Sequence, residues 1–198
     1  STQSRSSAAS DVYKRQAFEQ YKAQREETPE AIRLSVPIIK DIIKAYRIPI
    51  LEVAGYEADD VIGTLATEAG NQGITTYMMT PDKDYGQLVT DHVFMYRPKY
   101  GDKEFEVMGV EQVKAKFDIQ SPAQVIDMLG LMGDSSDNIP GCPGVGEKTA
   151  QKLIAEFGSI ENLLEHTDQL KGALKTKVET NREMIIFSKF LALSLIHI

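Results

Sequence analysis

Three groups of acidic residues carry most of the chemistry that this sequence offers. They are Glu57, Asp59 and Asp60; Asp82 and Asp84; and Asp134 and Asp137. Carboxylates that are packed together repel one another, so a site that contains several of them is stabilised by divalent cations. The single cysteine and the three histidines show no ligand spacing, and oxygen ligands favour hard ions. The acids therefore predict a site for Mg²⁺ or Mn²⁺.

Two such ions, roughly 3.5 to 4 Å apart, would activate a water molecule and stabilise the leaving oxygen of a phosphodiester. The alternative for any one acid is helix capping, because the helix dipole stabilises acids in a first turn. Three acids within residues 57–60 exceed what capping needs. On a helix, Glu57 and Asp60 share a face, and Asp59 lies about 100° from Asp60.

A glycine hairpin, residues 141–146 with the sequence GCPGVG, follows the last acid pair. Glycine suits positions where the backbone turns with positive φ or approaches a ligand closely. The N–H groups of such a turn, followed by a helix that begins with Glu147, Lys148 and Thr149, form a concave anion site. The alternative is a polar loop before an ordinary helix. A site for metal ions followed in the chain by a site for phosphate groups predicts a nucleic-acid substrate.

The first half of the chain predicts an α/β arrangement that places acids at strand ends. Thr28 is expected to cap a helix that has Pro29 at its first position, and this helix has a core-facing stripe. The stripe is Ile32, Val36, Ile39, Ile43 and Tyr46. Strands are predicted at 50–53, 74–80 and 93–97, with helices at 61–69 and 85–89. Ligands of open α/β sheets bind beyond the carboxyl ends of strands, where residues 57–60 and 82–84 fall.

The second half predicts helices only. They are expected at 110–117, from 123 to 133, at 149–157, at 160–165 after a Ser159 cap, and in a region from 170 to 190 that has a break. We therefore divide the chain into an α/β half at residues 17–108 and a helical half at 109–192.

Composition excludes some classes of protein. The 198 residues are 42% apolar and 26% charged, which is ordinary for a globular protein. No apolar run approaches the roughly 20 residues that span a bilayer, so no membrane partner is expected. The net charge of −7 disfavours a generic basic nucleic-acid binder but is compatible with a carboxylate-rich nuclease. One cysteine fits a reducing cytoplasm.

The two ends of the sequence predict segments foreign to the protein. Residues 11–16 can be encoded by a DNA word whose reverse complement encodes residues 193–198, LSLIHI. This inverted pair resembles the transposase-end adaptor of sequencing libraries. We therefore expect residues 1–16, which are Ser-rich and lack apolar periodicity, and residues 193–198 to be translated adaptor around a gene fragment.

The segments GYEADDVIGTLA, TPDKD and LMGDSSDNIPGCPGVGEKTAQKLI closely resemble the 5′ nuclease (flap endonuclease) family, in the form of the 5′-3′ exonuclease domain of bacterial DNA polymerase I. The resemblance, from about residue 17 to 192, implies a PIN-like, mostly parallel sheet flanked by helices and an all-α helix-hairpin-helix subdomain. It implies that all seven acids named above belong to a metal site. It also implies duplex phosphate contacts, often with a K⁺ ion, by the hairpin residues Gly141, Gly144, Val145, Gly146, Lys148 and Thr149.

A basic segment near the start has two interpretations. The spacing of Lys22 and Arg25 alone favours an exposed face of a helix. The resemblance instead matches Tyr21, Lys22 and Arg25 to a helical arch that clamps the 5′ strand, and it places Lys83 at a basic position between family acids. Lys22, Arg25 and Lys83 are therefore expected to be catalytic and Tyr21 to contact DNA.

The expected activity is metal-dependent hydrolysis of DNA with a 5′ flap, a nick or an RNA primer, by a cytoplasmic, nucleoid-associated monomer fused to a C-terminal polymerase region. Two family strands that each bring an aspartate would precede residue 17. We therefore expect the 198-residue chain to be impaired or inactive. The alternatives are a non-catalytic duplex-binding module and a PIN-type ribonuclease, which the hairpin disfavours.

Overall fold

The computed structural model describes residue 14 and residues 18–23, 26–54, 56–98 and 104–193. Residues 100–103, YGDK, have a sequence typical of a turn or loop, and they lie outside this part of the chain. Within it, no helix is both long enough and apolar enough to cross a bilayer.

The first half forms a small mixed sheet with helices. The elements are α1 (Glu30–Ala45), α2 (Ala58–Asn71), β1 (Thr76–Met79), β2 (Val93–Pro98) and β3 (Phe105–Met108). The strand order is β1-β2-β3, with β1 parallel to β2 and β2 antiparallel to β3. The sheet is therefore parallel in one of its two described pairings, and β3 was not predicted.

A short 3₁₀ helix, Lys83–Leu88, replaces the helix predicted at 85–89, and residues 80–82 connect it to β1. The Asp82 carboxylate caps it by accepting a hydrogen bond from the Asp84 N–H at 3.0 Å. The predicted strand at 50–53 is wrong, because these residues are extended coil without a ladder partner among the described residues.

Helix α1 forms, but its predicted burial is wrong. It begins at Glu30 with Pro29 rather than Thr28 at the N-cap, and it contains no buried residue. Ile32 and Ile39 are 55% and 50% exposed. Periodicity identifies which face of a helix is apolar but not which element covers it, and no described element covers this one.

The second half consists of helices, as predicted. They are α3 (Val110–Phe117), α4 (Val125–Met132), α5 (Glu147–Phe157), α6 (Ile160–Glu165), α7 (Gly172–Thr180) and α8 (Arg182–Ala192). The break in the last region falls at Asn181. Ser159 caps α6 as expected, because its side chain accepts a hydrogen bond from the Asn162 N–H.

Helix α4 lies at the centre of this half and packs closely against α8. A Cβ on Gly130 would lie 3.0 Å from the Lys189 Cα, so the close approach requires glycine. Lys189 Nζ donates to Asp127 Oδ1 at 2.6 Å and to Glu161 at 2.7 Å. The charge of Asp127, which is 5% exposed, is thereby neutralised where α4, α6 and α8 meet.

The two halves meet at the 3₁₀ helix. A Cβ on Gly86 would lie 3.4 to 3.5 Å from side chains of α3 and α4. The Gln87 amide also donates to the Ala192 carbonyl at 3.3 Å. This packing positions the acids at the end of β1 next to those that follow α4.

Candidate functional site

A cavity of about 380 Å³ lies between the end of β1 and the loop after α4. We call it the acid cleft, because Asp82, Asp84, Asp134 and Asp137 line it. Two of the three predicted acid groups, separated by about 50 residues of sequence, thus lie in one cavity. The structure therefore confirms that these two groups converge.

The loop at residues 134–139 is closed by its own backbone. The Asp134 N–H donates to the Ile139 carbonyl at 2.9 Å, and the Ile139 N–H donates back at 2.8 Å. Gly133 (φ +74°) precedes this loop, and a Cβ there would lie 2.5 Å from the Ile139 carbonyl oxygen. A closed loop of this kind holds Asp134 and Asp137 in fixed positions.

Asp134 is nearly buried and is neutralised by a lysine. Lys83 Nζ lies 2.5 Å from Asp134 Oδ2, and the Ser136 N–H donates to Oδ1 at 2.7 Å. Burial raises the pKa of this carboxyl, but Lys83 and Ser136 outweigh it, so the pKa is lowered. Burial lowers the pKa of Lys83, but Asp134 outweighs it and raises the pKa.

Asp84 forms no ion pair within the part of the chain that the structure describes. Its Oδ1 is the one buried side-chain oxygen or nitrogen within the described ranges that lacks a hydrogen-bond partner. Burial, and secondly the charge of Asp82, raise the pKa of Asp84 to about 7. A cation beside this oxygen would supply the missing interaction.

The third group, at the start of α2, is engaged by other side chains. The Glu57 N–H donates to Asp60 Oδ2 at 3.1 Å, and Asp60 is completely buried. Helix capping, the alternative considered for any one acid, therefore accounts for Asp60. The Tyr85 hydroxyl donates to Asp59 at 2.8 Å. Burial raises the pKa of Asp59 despite this hydrogen bond.

Lys22 connects this third group to the loop after α4. Its Nζ lies 2.5 Å from Glu57 Oε1 and 3.7 Å from Asp137 Oδ2. Its N–H donates to the Asp137 carbonyl at 3.0 Å, and its φ is +52°. Burial lowers the pKa of Lys22, but the hydrogen bond and charge of Glu57 outweigh it and raise the pKa. An exposed helical position for Lys22 is therefore wrong, because the residue is 7% exposed and lies in a turn.

No three Asp, Glu, His or Cys residues in the described ranges lie close enough together to hold one ion. Lys22 and Lys83 instead contact carboxylates of these groups directly. The seven acids are therefore not assembled as one ligand set, and their role as metal ligands stays a prediction. Tyr21 is 2% exposed, and its contact with DNA stays a prediction. Arg25 lies outside the described residues.

Part of the glycine hairpin is internal. Gly141 is buried, its N–H donates to Ser188 Oγ at 2.9 Å, and a Cβ on it would lie 2.3 Å from the Gly133 nitrogen. Val145 is 4% exposed, so its side chain packs inside. Gly141 and the Val145 side chain therefore have internal packing roles, and their contact with DNA stays a prediction.

The rest of the hairpin faces outwards. Gly144, Gly146 and Lys148 are exposed, Thr149 is half-buried, and Gly146 is the N-cap of α5. The N-terminus of α5 is therefore exposed, and its role as an anion site stays a prediction. Lys177 of α7, which the sequence did not single out, donates to the Gly144 carbonyl at 3.2 Å.

Arg97 and Lys116 also line the acid cleft, and sequence reasoning missed both. For Arg97 a signal was present, since it lies near the carboxyl end of β2, at the edge where the acids were expected. Lys116 had no such signal, because basic residues on a helix are usually solvated.

Comparisons with known proteins agree with this geometry. Residues 6–118 match the 5′-3′ exonuclease N-terminal resolvase-like domain, and residues 120–195 match the 5′-3′ exonuclease C-terminal SAM fold. The chain belongs to the 5′-3′ exonuclease family. Family relatives include DNA polymerase I of Bacillus caldotenax, 42% identical over 186 residues, and that of Bacillus subtilis, 44% identical over 186 residues. Each alignment covers 93% of this chain but 21% of the relative.

Solved structures show the same fold. A bacteriophage T5 flap endonuclease in complex with DNA and metal ions has a TM-score of 0.76 at 21% identity, covering 94% of this chain and 70% of that one. The catalytic core of Rad2 in complex with DNA substrate has a TM-score of 0.58 at 16% identity, covering 93% and 61%. The PIN-like α/β part followed by a helical part is thereby confirmed.

Proposed function

We propose that the protein is a metal-dependent 5′ nuclease, which acts as a 5′-3′ exonuclease and a 5′ flap endonuclease on DNA or on RNA primers. The observation that carries this proposal is the acid cleft, in which acids from both halves of the chain converge. Membership of the 5′-3′ exonuclease family supports it.

Carboxylate oxygens are the ligands that hard divalent ions prefer, and we propose that two ions, Mg²⁺ or Mn²⁺, draw the acids of the cleft together. Asp82, Asp84, Asp134 and Asp137 would hold them, with Glu57 and Asp59 contributing from α2. The buried Asp84 oxygen without a partner supports this assignment. When bound, the ions would supply an activated water and stabilise the leaving oxygen.

The protein's own cations would orient the scissile phosphodiester. Because the pKa of Lys22 is raised, its Nζ keeps its proton at neutral pH and can donate to a non-bridging phosphate oxygen. Lys83 can do the same from the opposite cluster, and Arg25 is proposed to clamp the 5′ strand. All three interactions favour the negative charge of the reacting group.

The exposed part of the hairpin would hold the duplex at a distance from the reacting phosphate. The backbone N–H groups around Gly144 and Gly146 and the Lys148 ammonium would bind phosphates, and a K⁺ ion at the hairpin would add to this. Such contacts position a duplex without reading its sequence.

For the whole protein we propose a monomer fused to a C-terminal polymerase region, acting in the bacterial cytoplasm at the nucleoid. The support is that the chain spans about a fifth of bacterial DNA polymerase I relatives. The division into residues 17–108 and 109–192, with foreign ends, stays a prediction.

A flap assay tests the proposal. The 198-residue chain is incubated with a 5′-labelled flap duplex in Mg²⁺ or Mn²⁺, beside Asp134→Ala and the control Asp168→Ala, an exposed acid outside the cleft. Because the activity of this chain is expected to be impaired, we expect slow cleavage by wild type and by the control, and a further loss of at least about a hundredfold for Asp134→Ala. Equal cleavage by Asp134→Ala would refute the proposed site. Preference for an RNA substrate would favour the ribonuclease alternative.

One observation favours a second candidate, a duplex-binding module without hydrolysis. Lys22 and Lys83 already neutralise Glu57 and Asp134 at 2.5 Å. Tight binding of flap duplex by wild type, without cleavage in either metal, would establish this candidate for the chain.

A further inference from the structure

We propose that Arg97 and Lys116 form a phosphate-binding subsite on the wall of the acid cleft, which takes a phosphodiester group of the bound nucleic acid next to the one that is cut. The inference rests on the proposed function, since it names a substrate contact of the same site. Neither residue lies in the acid groups, the hairpin or the basic segment at residues 21–25.

Two different elements bring these cations to one cavity. Arg97 lies near the end of β2, and Lys116 lies in the last turn of α3. Both line the cavity that Asp84 and Asp134 line. The positions are therefore set by the sheet and by the packing of α3, and not by a flexible loop.

The two cations are not committed to the acids of the cleft. The ion pairs within the described residues include Lys83 with Asp134 but none that involves Arg97 or Lys116. The Arg97 side chain makes a long contact, from Nη1 to Met108 Sδ at 3.8 Å. The guanidinium therefore keeps most of its donors for another partner.

Arg97 lies close enough to Lys116 to disfavour the charge of Lys116. Burial, and next the charge of Arg97, lower the pKa of Lys116, although Glu106 opposes this. Like charges that are held together are stabilised by an anion between them. A guanidinium can bind two phosphate oxygens in a bidentate manner, and an ammonium adds a point charge to the same group.

The acids in the cleft identify the source of that phosphate. Four carboxylates nearby repel a small free anion, and a free anion has no second attachment to compensate. A phosphate in a polymer is held at high effective concentration once the hairpin has bound the duplex. A phosphodiester of the bound strand is therefore the ligand that fits, and inorganic phosphate is the weaker competitor.

The test measures binding of a 5′-flap duplex to the 198-residue chain in Ca²⁺ over a range of KCl concentrations. Arg97→Ala and Lys116→Ala are compared with wild type and with Lys114→Ala. Lys114 lies on the same helix, pairs with Glu111 at 2.8 Å and does not line the cleft. We expect binding to weaken roughly tenfold for each subsite variant, and the salt slope to fall by about 0.9 for each phosphate that the variant no longer neutralises. The control should stay within about twofold.

A set of duplexes with one neutral methylphosphonate each then locates the phosphate. For wild type, neutralising one position should weaken binding about tenfold, whereas the Arg97→Ala/Lys116→Ala double variant should be insensitive at that position, as in a double-mutant cycle. Equal losses of affinity for both proteins at every position would overturn the subsite. Such losses would indicate that the two cations attract the DNA only through the overall electrostatic field of the protein.

Asp134→Ala separates the two proposals. If wild type binds and cleaves, Asp134→Ala does not cleave, and the two subsite variants behave as wild type, then the subsite is wrong and the proposed function stands. If wild type neither binds nor cleaves the flap duplex, both proposals are wrong.

Discussion

Replacing Asp84 by asparagine should stabilise the protein at neutral pH when no divalent ion is present. In the folded protein, burial and Asp82 raise the pKa of Asp84 to about 7, whereas an unfolded aspartate has a pKa of about 4. Between these values the folded chain retains a proton that the unfolded chain has released. Stability contributed by this group therefore falls as pH rises from about 4 to 7 and is constant above that.

The size of the effect follows from the difference between the two pKa values. Three pH units correspond to about 4 kcal/mol, and solvent screening of a partly exposed carboxyl reduces this to roughly 2 to 4 kcal/mol. Asparagine has nearly the same shape and no charge, so it removes the penalty. The expected gain is about zero near pH 4 and reaches its full value at pH 8.

Urea unfolding in EDTA, followed by far-UV circular dichroism at pH 4.5, 6, 7 and 8, measures this gain. With an m-value of about 2 kcal/mol per molar, the midpoint of Asp84→Asn should exceed that of wild type by about 1 to 2 M at pH 8. Adding Mn²⁺ should stabilise wild type more than the variant, since binding to the folded state raises stability. A midpoint difference that is the same at every pH would refute the reasoning.

Four further substitutions test the packing and the ion pairs of the fold and the site. Gly141→Ala should lower the free energy of unfolding by about 3 kcal/mol, because the added Cβ meets the backbone. Gly146→Ala, whose Cβ would have nothing within 4 Å, should lower it by less than about 1 kcal/mol. Thermal unfolding of the two variants measures this difference. Lys189→Met leaves a buried carboxylate on α4 unpaired and should cost about 3 kcal/mol in urea unfolding, and a change within about 0.5 kcal/mol would contradict this. Lys83→Met should raise the pKa of Asp134, which carboxyl NMR titration measures, and an unchanged value would show that Lys83 does not set it.

The site was predictable where its residues are close in sequence or lie at the ends of strands. Asp82 and Asp84 follow β1, and Asp134 and Asp137 follow α4, as the pattern of turns and apolar segments indicated. Helices α3 to α6 were equally predictable, since their periodicity is strong and α6 has a Ser159 cap.

Interactions between distant segments were not predictable. Lys22 looked like a solvated residue, yet it is buried between Glu57 and Asp137. Strand β3 is four residues long and is defined by its pairing with β2. In each case the interaction that determines the structure joins residues that are distant in sequence. Local helix and strand propensities do not predict such an interaction.

The close backbone approach of Gly133 and Gly141 has a consequence for where the proposed nuclease would cleave a bound duplex. One residue leads into the loop that carries Asp134, and the other begins the hairpin proposed to hold the duplex. No side chain separates these two residues. The distance between the duplex phosphates bound at the hairpin and the phosphodiester that is cleaved should therefore be fixed. The number of nucleotides between the bound duplex phosphates and the cleaved phosphodiester should then be constant across salt concentration, temperature and DNA sequence.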